Sequence, residues 1–195
     1  MIEAFFKEMD ERWNSTGKNR IGLPIIGSTA LFLQSSYDRG TKDSDVLEVV
    51  GLTEQIKKTL LSLAGPGTRL AKRHKIHLDI VGQGIPFLPH PPLFHPLEKL
   101  NRQVKNFQIE VLDITDVVVS KLKTFRAQDV DDIRAMVLLN FVDARKLVQR
   151  FLAAKEYWLM DARSEELPQY IQNLNTVLRD FLEAEEIEIE LPPWI

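Results

Sequence analysis

Ile21-Gly-Leu-Pro-Ile-Ile-Gly-Ser-Thr-Ala-Leu-Phe-Leu-Gln34 is the stretch that decides the fold class. Ile21 to Ile26 is apolar and short enough for a buried strand, and Pro24 predicts an edge position or a bend. Gly27-Ser28 punctuates it, and Thr29 to Gln34 resumes as a helix with Ser28 or Thr29 available as the N-cap. The unit is therefore strand, tight turn, helix. Upstream, Ile2, Phe5, Phe6, Met9 and Trp13 recur at helical spacing, which predicts an amphipathic helix with Asn14 to Asn19 as its polar exit. Downstream, the polar turn cluster Ser35 to Gly40 leads into Thr41 to Val50, a strand that carries Asp43 and Asp45 on one face.

Further along, Leu52 to Leu63 reads as a helix ended by Gly65-Pro-Gly67. Lys75-Ile-His-Leu-Asp-Ile-Val81 then alternates strictly, with Ile76, Leu78 and Ile80 on one side and His77 and Asp79 on the other. Pro86 to Pro96 holds five prolines, which exclude a helix interior or a central strand and predict an extended loop. Phe107 to Leu112 returns as a strand. From Asp113 onward the periodicity is helical: Thr115–Arg126, Asp129–Leu139, Asp143–Leu159 and Ser164–Glu185, with an acidic surface tail closing on Pro192-Pro193. The expected class is α+β: a small mixed sheet with flanking helices over residues 1–112, then a helical region over 113–195 packed on it.

The chain has 195 residues, 44% of them hydrophobic and 27% charged, which excludes a disordered or low-complexity protein. Cysteine is absent, so disulfides, zinc ribbons, iron–sulfur clusters and thiol nucleophiles are excluded, and a metal must be held by Asp, Glu or His. With no basic-then-apolar leader and no long apolar run, the expectation is a cytoplasmic protein without a membrane partner. The net charge of −3 divides unevenly: residues 1–54 carry −3, 55–126 carry +7 and 127–195 carry −7. A basic middle of this size suits a polyanion such as a nucleotide or RNA, although clustered Lys and Arg also serve as a solvated face.

Asp43, Asp45 and Asp79 occupy strand positions where acids are unusual. Residues i and i+2 of a strand face the same way, so Asp43 and Asp45 present two carboxylates to one region. Such a pair repels unless a cation lies between them. If the strand of Asp79 runs beside theirs, three hard oxygen donors without sulfur suit Mg2+ or Mn2+ better than zinc.

Ile25-Ile-Gly27-Ser28, Arg39-Gly-Thr-Lys-Asp43-Ser-Asp45, Leu78-Asp79-Ile80, Lys121-Leu122 and Asp129-Val-Asp-Asp132 together resemble, in order, the signature of the nucleotidyltransferase (DNA polymerase β-like) superfamily. Within it the chain looks like the minimal type that includes the AbiEii-type toxins of toxin–antitoxin and phage-defence systems. The resemblance implies a nucleotidyltransferase core that moves NMP from an NTP to a hydroxyl acceptor, RNA or tRNA among the candidates, with an antitoxin protein as a partner. It further implies that Asp43, Asp45 and Asp79 are catalytic and hold the metal. Gly27, Ser28, Arg39, Lys121, Asp129 and Asp132 would bind nucleotide. Two departures stand out: fourteen residues separate Ser28 from Asp43, a longer loop than the resemblance implies, and His77 stands where the toxin group often has Lys.

Plainer readings exist for the same residues. Asp43 and Asp45 suit a solvated turn, Asp79 the exposed face of a half-buried strand, and Gly27-Ser28 a turn and cap. Asp129 and Asp132 suit a helix start, and Lys121 the wet side of a helix. The histidines lack zinc-ligand spacing, and His90 and His95 read as surface or packing residues. The alternative function is a non-catalytic nucleotide- or protein-binding module on the same fold.

Overall fold

The computed structural model describes residues 2–14, 19–37 and 39–195. Part of the polar exit expected after Trp13, and one residue of the turn cluster before Gly40, lie outside them. The chain divides into two compact units, residues 1–85 with 94–113, and residues 86–93 with 114–195.

In the first unit the elements are α1 (Ile2–Glu11), β1 (Ile21–Ile26), α2 (Gly27–Gln34), β2 (Asp43–Leu47), α3 (Glu54–Ala64), α4 (Arg69–His74), β3 (His77–Val81), β4 (Phe94–Pro96), α5 (Glu98–Asn101) and β5 (Phe107–Leu112). The five strands form one mixed sheet in the order β3-β2-β1-β5-β4. β1 pairs antiparallel with β2, β4 antiparallel with β5, and the β1–β5 and β2–β3 pairs are parallel. A parallel pair needs a crossover, and α3 with α4 supplies it between β2 and β3.

Alternation gives the sheet its two characters. Ile25, Val46 and Val111 share a face through the register Ile25↔Val46 and Ile25↔Val111, and all three are fully buried. Leu23, Leu78 and Ile109 join them in the core, and each such side chain contributes roughly 1.5–3 kcal/mol on leaving water. β2 and β3 turn Asp43, Asp45, His77 and Asp79 to the other side, while Ser44 between the two acids points into the apolar layer.

Several local expectations are corrected. β1 lies at the centre of the sheet, not at an edge. Its ladder to β2 covers only Ile25 and Ile26, so Pro24 has one flank on which no N–H donor is required. Helix α2 starts at Gly27, and neither Ser28 nor Thr29 caps it: the Thr29 hydroxyl donates instead to the Asp43 carbonyl at 2.8 Å. The proline-rich loop ends in β4, tolerated because it is a short edge strand. Helix α4 is an addition, too short for periodicity to reveal, with Thr68 accepting from Ala71 N at its start. β2 is shorter than the expected Thr41–Val50, and the last helix expected, Ser164–Glu185, divides into a 3-10 turn and a shorter α-helix.

The second unit comprises α6 (Ile114–Thr124), α7 (Ala127–Leu138), α8 (Ala144–Trp158), a 3-10 turn at Ser164–Glu166 and α9 (Leu167–Phe181). α6 packs against α7, α8 and α9 through Val117, Val118, Val119 and Leu122, all fully buried. Phe87 is buried with ring contacts to Phe151, Trp158 and Tyr170 at 5.0–5.5 Å, which explains why residues 86–93 group with the helices. Arg150 locks the same segment. It donates to both oxygens of the fully buried Asp116 at 2.6 Å and to the Pro91 carbonyl at 2.9 Å, while Leu93 N donates to Asp116 at 2.8 Å. Residues 183–195 form no helix or strand and bury no side chain, as expected of a surface tail. Among the described residues no helix is long and apolar enough to cross a membrane.

In the first unit, α1 is tied to the start of β5 by Asp10, whose carboxylate accepts from Lys105 N at 2.9 Å and Asn106 N at 2.7 Å while only 6% exposed. Asp10→Ala strands both donors and is expected to cost about 3 kcal/mol, read as a fall in the urea midpoint at unchanged slope.

Candidate active site

Gly27 is the hinge of the site. Its φ of +65° lies in the left-handed region, and a Cβ built on it would stand 2.9 Å from Asp45 Oδ2. Glycine is thus required twice, by backbone conformation and by the carboxylate that occupies the side-chain space. The register explains the approach: Ile26, the last residue of β1, pairs with Asp45. The start of α2 and the middle of β2 are thereby pressed together.

Ser28 and Arg39 lie at the same corner. Arg39 Nη2 donates to Ser28 Oγ at 3.1 Å, and the guanidinium also stacks 5.6 Å from the Phe32 ring centre. A cation is therefore held at the first turn of α2, where backbone N–H groups and the helix dipole already favour an anion. Asp43 is fixed through its backbone: its carbonyl accepts from Thr29 Oγ1 and, at 3.1 Å, from Thr41 Oγ1, while its side chain is 59% exposed.

Asp79 lies directly beside Asp45 in the parallel β2–β3 register, and His77 beside Asp43. Register neighbours on parallel strands share a face, so the three carboxylates and the imidazole emerge on one side of the sheet. His77 Nε2 is 3.3 Å from Asp43 Oδ1, and Asp79 Oδ1 accepts from Ile80 N at 2.8 Å. The first-unit residues picked out by sequence are thus neighbours in the strand register and the adjoining turn. Alternation placed His77 on the face of Asp79, but that Asp43 stands beside it is a matter of strand pairing.

Lys121, Asp129 and Asp132 form a separate cluster within the second unit. Lys121 Nζ is 2.9 Å from Asp129 Oδ1 and 2.9 Å from Asp132 Oδ2, with Asp132 fully buried, Lys121 nearly so and Asp129 partly buried. Asp129 also accepts from Thr124 Oγ1 at 2.7 Å and from Arg126 N at 3.1 Å, so it closes the first turn of α7. Burial pushes its carboxyl up, but the Lys121 ammonium, the Thr124 hydroxyl and the Arg126 amide outweigh this and hold its pKa below the usual value. The cluster braces α6 against α7.

A metal ion can be weighed against these donors. Among the described residues no three His, Asp or Glu side chains form a group that could hold a metal ion. Carboxylate oxygens without sulfur are the donor chemistry of a hard divalent ion, but these side chains do not form a group that could hold one. The carboxylates leave one face from strands about 4.8 Å apart. The space that a Gly27 side chain would fill is kept for the Asp45 oxygen.

Lys121→Met leaves buried Asp132 and partly buried Asp129 without this cation and is expected to cost about 3 kcal/mol in denaturant unfolding. The lowered Asp129 pKa adds stability above the ordinary 3.8 that is lost as pH falls through the folded-state value, and this acid-limb loss should shrink in the variant.

No curated protein and no solved structure matches the chain. Residues 3–177 match a family described as nucleotidyltransferase of unknown function (DUF6036). With nearly the whole chain inside that match, and with a mixed sheet whose Gly-Ser turn abuts the first of its paired carboxylate strands, the protein belongs to this nucleotidyltransferase family.

Proposed function

We propose that the protein is a Mg2+- or Mn2+-dependent enzyme that transfers NMP from an NTP to a hydroxyl acceptor and releases pyrophosphate. The observation that carries this reading is the in-register pair Asp45↔Asp79 beside the Gly27 turn, with Asp43 on the same face. Asp43, Asp45 and Asp79 would hold the ion, which when bound neutralises triphosphate charge and polarises the oxygens of an in-line displacement.

The chain's own groups have distinct tasks in this scheme. Backbone N–H groups at the Gly27-Ser28 turn receive the triphosphate, aided by the Ser28 hydroxyl and the Arg39 guanidinium. The acceptor oxygen attacks the α-phosphorus, the bond to pyrophosphate breaks, and the acceptor proton passes to a carboxylate of the site or to water. Asp79, the more exposed of the register pair, would face the acceptor hydroxyl.

Lys121, Asp129 and Asp132 enter as bracing residues whose nucleotide contact would require their mutual ion pairs to open. RNA, tRNA included, is the acceptor that the +7 charge of residues 55–126 suggests, although Lys57, Arg73 and Lys121 of that segment are paired with carboxylates. A toxin-like enzyme with an antitoxin partner, acting in the cytoplasm, is the setting that the sequence resemblance suggests. A second reading, nucleotide binding without transfer, draws support from the carboxylates' not being gathered among the described residues.

Incubation with each labelled NTP, Mg2+ or Mn2+ and total RNA should label RNA, and Asp43→Ala/Asp45→Ala should reduce the label at least about a hundredfold. Metal-independent NTP binding without pyrophosphate release would establish the second reading instead.

A further inference from the structure

We propose that the groove between α8 and α9 is the seat of Trp194 from a second copy of this chain, so that two copies pair by exchanging their acidic tails. Val148 and Leu152 of α8, Leu178 of α9, and Ala184 and Ile187 of the tail line a groove of about 440 Å3 that is almost wholly apolar. A concave apolar surface of this size is the usual form of a binding pocket. The pairing is independent of NMP transfer.

The tail is built to present its tryptophan. Glu186-Ile-Glu-Ile-Glu-Leu191 alternates strictly, with the apolar side chains half-buried and the acids exposed. Asn175 fixes it beside the groove: its side-chain amide donates to the Ile187 carbonyl and accepts from Ile187 N, both at 3.0 Å. Pro192 to Ile195 then close a turn, in which Ile195 N donates to the Pro192 carbonyl at 3.1 Å and Pro193 takes the second position, where proline pre-sets the backbone. Trp194 is thereby held out at 77% exposure, whereas Trp13 and Trp158 are buried. An ordered, exposed tryptophan is the kind of side chain that anchors an interface.

Charge complementarity selects a second copy as the occupant. Residues 144–155, on α8, carry four bases and no acid, whereas residues 183–195 carry five acids and no base. Arg145 lines the groove, and neither it nor exposed Glu188 and Glu190 makes an ion pair among the described residues. A tail entering from another copy brings Glu188 and Glu190 towards Arg145 while Trp194 covers the apolar surface. Seven residues lie between the Asn175 clamp at Ile187 and Trp194, a reach of at most about 25 Å. Because tail and groove belong to one chain, exchange across a two-fold axis buries two tryptophans in two grooves and closes the assembly.

The test is sedimentation of the full chain across about a hundredfold range of concentration, with tryptophan emission read alongside. The mass should rise from one copy to two as the emission shifts to the blue. Trp194→Ala and Leu152→Asp should each weaken pairing about tenfold or more at unchanged circular dichroism. Arg145→Glu should weaken it too, and Glu188→Arg/Glu190→Arg in the same chain should restore it. A mixture of Trp194→Ala with Leu152→Asp should associate more tightly than either variant alone, because one partner keeps its groove and the other its tail. A single copy at every concentration, with Trp194 exposed or folded into its own groove, overturns the proposal. So does a pair indifferent to Trp194→Ala or Leu152→Asp, or a mixture no tighter than its components.

Discussion

Asp45 Oδ2 occupies the space where Gly27 would carry a side chain, and this contact joins the two halves of the candidate site. It exists because β1 ends opposite the middle of β2, so the turn into α2 is set against a carboxylate. A turn one residue later would move the start of α2 off Asp45. A one-residue slip of β2 would be worse, since it would place the acids in the apolar layer and Ser44 outside it. The Thr29 hydroxyl on the Asp43 carbonyl reinforces that register from the helix side.

Charge in the two units is handled differently. In the first unit the acids on the polar face stand side by side, with Arg39 engaging Ser28 and His77 engaging Asp43. In the second, Lys121 is enclosed by Asp129 and Asp132, and Arg150 makes a two-point contact with buried Asp116. The first arrangement sets its charges on one face of the sheet. The second consumes its charges internally and fixes helix positions, because removing one member strands a buried charge. The basic middle of the sequence is likewise not one surface: Arg73 faces Glu8 at 2.5 Å, Lys57 faces Glu48 at 2.5 Å, and Lys121 belongs to the buried cluster.

Legibility in the sequence followed the range of the forces involved. Strict alternation gave β3, and helical spacing gave α1 and the four C-terminal helices to within a few residues. The Gly-Ser turn and the Asp-x-Asp pair were visible as local patterns. The centrality of β1 was not, because Pro24 argues against it locally and only the short reach of the β2 ladder permits it. β4 was hidden by prolines that an edge strand tolerates, and α4 by a length below two helical turns.

The sequence by itself determined an α+β chain without cysteine chemistry, a strand-turn-helix unit ending in Gly-Ser, and carboxylates spaced to share strand faces. These are consequences of composition and of periods two and 3.6, which act over a few neighbouring residues. The tertiary structure decided what stands beside what: Asp79 beside Asp45, His77 beside Asp43, and Lys121 between Asp129 and Asp132. Such neighbours are brought together by ladder register and helix packing across up to 34 positions of chain, and no local period encodes them.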